Sequence, residues 1–179
     1  MQEFEFTLKF AFSDVNTNAE DFIEALGEAG CSDAIIGMGQ KGRIAFDFAR
    51  EANNATDAIL ASLDDIKKVI PTAKLIECTP DIVGLSDMAN YLGFSRQYMR
   101  RLMLANPDTF PVPIHSGKTS IWHLSNILEW NNLKQIKAVD SSIKEVVLAS
   151  KQINIVKDYM NVKEAISQKL TERFSKVYN

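Results

Sequence analysis

Cysteine and histidine are scarce in this 179-residue chain, two of each. Cys31 and Cys78 lie in unrelated contexts without Cys-x-x-Cys spacing, and His115 and His123 are the only histidines that could join them in a metal site. The two cysteines therefore read as small buried hydrophobes of a reducing cytoplasm. No apolar run approaches the ~18 residues needed to span a bilayer. The first residues, Met1-Gln2-Glu3-Phe4-Glu5-Phe6, are acidic and alternate in polarity, unlike a secretory leader. Convergent catalytic groups are missing too: Asp64-Asp65 and the carboxylates from Asp14 to Asp21 fall on polar helix faces or loops, away from either histidine. The expectation is a cytoplasmic protein that is not an enzyme, takes no cofactor and meets no membrane.

Charge is distributed unevenly. Residues 1–80 carry 7 basic and 14 acidic side chains, residues 81–135 carry 5 and 4, and residues 136–179 carry 8 and 5. A net of −7 in the first segment repels a phosphate backbone, which leaves the middle and the tail as surfaces suited to nucleic acid. The same boundaries separate three patterns of apolar spacing, and we take 1–80, 81–135 and 136–179 as the expected units.

In the first unit, Phe4, Phe6, Leu8, Phe10 and Phe12 alternate with period two and predict a strand with one buried face. Asp21 to Ala29, with Phe22, Ile23 and Leu26, predicts a helix capped near Asn18 and closed by Gly30. Ala34 to Met38 and Arg43 to Arg50, the latter with Ile44, Phe46 and Phe48 inward, predict a hairpin. A second helix is expected from Thr56 to Ile70, ended by Pro71, and a last strand from Ala73 to Cys78. The order strand, helix, strand, strand, helix, strand is that of a ferredoxin-like βαββαβ unit, so the fold class expected for the chain is α+β. The glycines of Gly37-Met38-Gly39-Gln40-Lys41-Gly42 invite a phosphate-loop reading. They lead into a strand rather than a helix, which favours a hairpin turn.

The second unit carries the functional signal. Ser86 can cap a short helix from Asp87 to Leu92 that Gly93 ends, and Ser95 can cap another from Arg96 to about Leu104. Two helices joined by a brief glycine-containing turn make a helix-turn-helix. Met99, Leu102 and Met103 face inward, leaving Arg96, Gln97, Tyr98, Arg100 and Arg101 outward, with Ser95 at the leading end. Arginine pairs with guanine and glutamine with adenine. Phe110 to Trp122 alternates into a polar tip at Ser116 to Lys118 and out again, predicting a two-stranded wing whose His115, Ser116, Lys118 and Thr119 lie near phosphates. The competing explanation is an ordinary solvated helix face with three arginines. Trp122 and Trp130 read as core rather than as a ligand box.

Leu85-Ser86-Asp87-Met88-Ala89, Leu92-Gly93-Phe94-Ser95-Arg96, Phe110-Pro111-x-Pro113, Gly117 and Trp122 together resemble the excisionase and AlpA-like branch of MerR-type winged helices, over residues 82–131. The resemblance implies that the second helix enters the major groove of double-stranded DNA and reads bases through Arg96, Gln97 and Arg100. It also implies that Lys118 follows the backbone and that Trp122 packs beneath the wing. One lysine stands between Ile114 and Thr119, where members of the family often carry arginine, so weak affinity is expected of a single domain.

The tail has Ile143, Val147, Ile153, Val156 and Met160, then Val162, Ile166, Leu170, Phe174 and Val177, at helical spacing. It predicts one long helix or two shorter ones whose apolar stripe needs a partner: a second copy, the first unit, or a different protein. Its lysines, Lys144, Lys151, Lys157, Lys163, Lys169 and Lys176, mostly fall off the stripe and read as solvated. The chain as a whole reads as a bacterial or phage transcriptional regulator that binds DNA as a homodimer through its C-terminal helix. The alternative is a protein-binding adaptor or antitoxin-like subunit of a defence or mobile-element complex, which the net acidity favours.

Overall fold

The alternation of Phe4 to Phe12 becomes strand β1 (Gln2–Ala11), with Phe4, Phe6, Leu8 and Phe10 buried on one face, in a computed structural model that describes residues 1–162, 166 and 168–178. After Asn18, whose Oδ1 accepts from the Glu20 amide at 3.3 Å, a 3₁₀ turn (Ala19–Phe22) leads into the single turn of α1 (Ile23–Leu26) and a widened turn to Cys31. The expected helix is thus present but irregular. Gly30 has φ +112°, and a Cβ there would stand 2.9 Å from Asp65 Oδ2, so glycine is required both for conformation and for space.

Strands β2 (Ala34–Gly37) and β3 (Arg43–Ala52) form the expected hairpin, α2 (Ala55–Val69) follows with Asn54 Oδ1 accepting from the Asp57 amide at 2.9 Å, and β4 (Lys74–Thr79) completes the sheet. The sheet has four strands in the order β2-β3-β1-β4, every neighbour antiparallel, with Phe6 opposite Phe48 and Leu8 opposite Phe46. The chain is a mixed α+β protein.

Arg50 was not expected to face inward, yet it occupies the next core position of β3 after Phe48. Its guanidinium bonds Asp33 at 2.8 and 2.9 Å, Asp65 at 2.9 Å and the Gly30 carbonyl. Burial alone would raise the Asp65 pKa, but hydrogen bonds from Lys68 and Arg50 outweigh it and hold the carboxyl below its ordinary range. Asp65, expected on a polar helix face, is a structural partner. Cys31 and Cys78 are buried as expected, and burial pushes both thiols up to about 11.

Helices α3 (Leu85–Tyr91), α4 (Arg96–Ala105) and α5 (Leu124–Leu133), with the short strands β5 (Ile82–Val83) and β6 (Trp122–His123), surround a second core of Met88, Leu92, Met99, Trp122, Leu124 and Ile127.

The tail forms two helices, α6 (Ser141–Val162) and α7 (Gln168–Tyr178). The first part of the stripe finds its partner within the chain, with Val147 buried in the second core, Ile143 half-buried against it and Ile153 half-buried against the first core, which Val146 and Ala149 beside the stripe complete, while Val156, Met160, Val162, Leu170, Phe174 and Val177 stay exposed. Helix α6 also covers the open edge of β4. The Asn154 carboxamide accepts from the Cys78 amide at 2.9 Å and donates to the Cys78 carbonyl at 2.8 Å, as a neighbouring strand would, and Lys157 Nζ donates to the Ile76 carbonyl. Lys157 and Lys151, the latter bonded to Ser125 and Asn126, are therefore more than solvated charge. Lys163 lies outside the described residues.

Candidate nucleic-acid interface

Helix α3 begins two residues earlier than its sequence suggested. Gly84 is its cap residue, with the Asp87 carboxylate accepting from the Gly84 amide at 3.4 Å, and Ser86 sits exposed within the first turn. The end is as expected: Gly93 takes φ +60°, and the Phe94 amide bonds the Ala89 carbonyl at 2.7 Å. Two residues on, Ser95 Oγ accepts from the Tyr98 amide at 3.1 Å and starts α4.

Met99 is fully buried and Leu102 and Met103 are half-buried, so α4 lies on the second core by that side. Ser95, Arg96, Gln97, Tyr98, Arg100 and Arg101 are all exposed. At 100° per residue, Gln97, Arg101 and Leu104 stand farthest from the buried side, with Arg100 beside them and Arg96 on the flank in the first turn. Arg101 is held across Tyr98, its guanidinium 5.8 Å from the ring centroid, and Tyr98 packs edge-on against Phe94 at 4.9 Å. The row ends at Lys137, whose ammonium lies 5.4 Å from the Phe94 ring centroid. Sequence reading missed Lys137 because it lies more than 40 positions from Phe94; only the fold brings it to the turn between α3 and α4.

Residues 110–121 are less regular than the two-stranded wing expected of them. A single bridge, His115 to Ile121, joins the arms, with Ile114 N to Ile121 O at 2.9 Å and Ile121 N to His115 O at 3.1 Å. Pro111 and Pro113 have no amide to offer, which limits the ladder to this one rung. His115, Ser116, Lys118 and Thr119 are exposed at the tip. The base of the loop is firmly packed: Trp122 Nε1 donates to the Pro111 carbonyl at 2.9 Å, and Phe110 stands edge-on between Trp122 (6.2 Å) and Trp130 (4.9 Å). The two tryptophans are core residues, as their spacing suggested.

Behind this surface, His123 Nδ1 lies 2.7 Å from Oδ1 of Asp81, a residue only 1% exposed, and Asn154 donates to Asp81 Oδ2 at 2.9 Å. These contacts tie β6 to α6. The exposed cations near α4 thus comprise Arg96, Arg100, Arg101 and Lys137, with Lys118 on the adjacent loop. Chemically the arrangement offers paired donors and point charges to an anionic partner. Comparison with known proteins finds no protein family, no characterised protein and no solved structure that matches the chain.

Proposed function

We propose that the chain binds double-stranded DNA as a dimeric bacterial or phage transcriptional regulator, without catalysis, in the cytoplasm. On this reading residues 82–131 act as an excisionase-like winged helix-turn-helix. Residues 1–80 are a ferredoxin-like unit that senses a ligand or pairs subunits; the antiparallel order β2-β3-β1-β4 supports that assignment. The observation that carries the function is the outer side of α4. Three arginines and Gln97 are exposed on a helix anchored from behind by Met99 and started by the Ser95 cap, next to a loop tip bearing Lys118. Side chains on the leading turns of such a helix reach base edges, while the loop tip reaches phosphate.

The experiment is anisotropy titration against a site selected from random duplexes and against random DNA, over a range of salt. Arg100→Ala should cost about 1–3 kcal/mol on the selected site and narrow the gap to random DNA, as the loss of a paired contact to guanine does. Lys118→Ala should weaken both alike and lower the slope of log affinity against log salt by about one. The alternative, a protein-binding adaptor, draws support from the chain's net charge of −3 and the acidity of residues 1–80. Arg96→Ala and Arg100→Ala proteins that bind every sequence as the parent does, yet lose a protein partner, would decide for the adaptor.

A further inference from the structure

The four-stranded sheet has two edges, and the chain treats them differently. Along β4, helix α6 supplies the Asn154 carboxamide and Lys157 Nζ to the outward backbone groups of the strand. Strand β2 is paired on its β3 side alone. The Ala49 amide bonds the Asp33 carbonyl at 3.2 Å, which sets the alternation of this ladder. Ile35 and Gly37 turn their amides and carbonyls toward β3, whereas Ala34 and Ile36 turn theirs away. Among the described residues nothing bonds those outward groups of Ala34 and Ile36.

An edge of this kind templates another strand unless a charge, a proline, a bulge or a covering element blocks it. Ala34-Ile35-Ile36-Gly37-Met38-Gly39 holds no charged residue and no proline, and β2 meets β3 without a bulge. Its one guard is shortness. Ile35, on the outward face opposite Asp47, is 76% exposed, and among the described residues no isoleucine is more so. The surroundings are acidic: residues 1–80 carry 14 acidic and 7 basic side chains, and Glu3, Glu5 and Asp47 stand on the outward sheet face. A second copy of the chain therefore meets least repulsion along the uncharged edge.

We propose that β2 pairs antiparallel with β2 of a second copy about a two-fold axis at Ile35. The inference deepens the dimeric reading above and rests on it only for the number of copies. In this register Ala34 exchanges amide and carbonyl bonds with Ile36 of the partner subunit, and the symmetric pair does the same. At the axis Ile35 meets the partner's Ile35 in a non-hydrogen-bonded pair, the closer antiparallel spacing, at about 4.5 Å between Cα atoms. An axis at Ile36 would instead set Ile35 against the partner's Gly37 and leave it uncovered. Like charges stay apart. The Asp47 carboxylates beside the two isoleucines fall three strand spacings from each other, about 14 Å, beyond the ~10 Å Debye length at 0.1 M. Assembly stops at two copies because both far edges of the joined sheet are closed by α6. A four-residue seam, about 13 Å long, covers far less than the roughly 800 Å² per partner of tight complexes, so the pair is a weak one.

Mass measurement tests the pairing without DNA. By sedimentation equilibrium the full chain should pass from the mass of one copy toward that of two between about 10 and 500 µM. Ile35→Lys and Ile35→Glu each set like charges across the axis and should keep the mass of one copy with the parent's circular dichroism spectrum. An equimolar mixture of the two variants sets lysine opposite glutamate and should regain the two-copy species, with a Kd within about threefold of the parent's. Ile35→Cys should form an interchain disulfide under mild oxidation at least about tenfold faster than Leu60→Cys, at an exposed position on α2, while the buried Cys31 and Cys78 stay silent. A parent with the mass of one copy at the highest concentration, a mixture that stays at one copy, or cysteine at position 35 no faster than at position 60 would each overturn the edge pairing. A two-copy mass that survives Ile35→Lys would overturn it as well, while leaving the dimeric regulator standing with its interface elsewhere.

Discussion

Replacing Asn154 by leucine isolates one polar device at nearly constant side-chain volume. The carboxamide holds the Cys78 amide and carbonyl at 2.9 and 2.8 Å and one oxygen of Asp81 at 2.9 Å. Asn154→Leu leaves both backbone groups of a buried strand residue without partners, at about 1–3 kcal/mol for each orphaned group. The Asp81 carboxylate, 1% exposed, keeps only His123 among its side-chain partners. The sum is a loss of about 3–5 kcal/mol, a large part of the 5–15 kcal/mol that typical domains possess. Asn154→Asp should do no better, since a carboxylate can still accept from the Cys78 amide but turns a second negative charge toward Asp81 and the Cys78 carbonyl. Urea unfolding followed by circular dichroism measures the loss, and hydrogen exchange at the Cys78 amide locates it. A loss below about 1 kcal/mol in Asn154→Leu, with Cys78 as protected as in the parent, would refute the claim that α6 closes the sheet edge.

Two further substitutions probe the scaffold. Arg50→Met takes the arginine from the Asp33 carboxylate and leaves Asp65 with Lys68 as its remaining cation, and should cost about 3 kcal/mol at neutral pH, the low end for a broken buried pair because Asp33 is partly solvated and Asp65 keeps that partner. The folded Asp65 pKa is depressed, so its stabilisation is present above the unfolded carboxylate value and is lost as pH falls through the folded value. The deficit of Arg50→Met in urea titrations should therefore shrink on acidification, and a deficit independent of pH would show that the ion pairs are not its source. Gly93→Ala forces φ +60° on a residue with a Cβ and crowds Lys137, which should lower stability by roughly 1 kcal/mol, with Gly93→Asn less harmful. A melting temperature equal to the parent's in Gly93→Ala would remove the conformational argument.

The parts of the structure that were legible in the sequence are those where a single periodicity meets a single environment. Phe4, Phe6, Leu8, Phe10 and Phe12 all enter one core, so their alternation announced the strand, and the serine and glycine at positions 95 and 93 marked the ends of α4 and α3. Arg50 was illegible because a cation at a core position makes sense only with Asp33 and Asp65, 17 and 15 residues away, and nothing local pairs them. Helix α6 was misread as one unsatisfied stripe because it serves two cores with adjacent residues and keeps a third side outward; its spacing superimposes these demands. Asn154 looks like a surface residue until the β4 edge is placed beside it. The regular wing was over-read: Pro111 and Pro113 were visible, and their missing amides already forbade a longer ladder. For the candidate interface, the exposed face of α4 followed from Met99, Leu102 and Met103, but Lys137 had no local signal at all.

The join between the two cores follows from the same α6 contacts. A connection that lets two units move independently is exposed and polar, and few contacts cross it. Here Pro80 is buried, Asp81 is nearly inaccessible, and the Asp81 carbonyl accepts from the Leu124 amide at 2.7 Å, where α5 begins. Val146 and Val147, neighbours in the chain and about 100° apart around α6, enter different cores. A rotation of α6 that eased one packing would pull a side chain from the other. The polar path from Cys78 through Asn154 and Asp81 to His123 adds directional bonds to that constraint. The cationic side of α4 is consequently tied to the four-stranded sheet through α6.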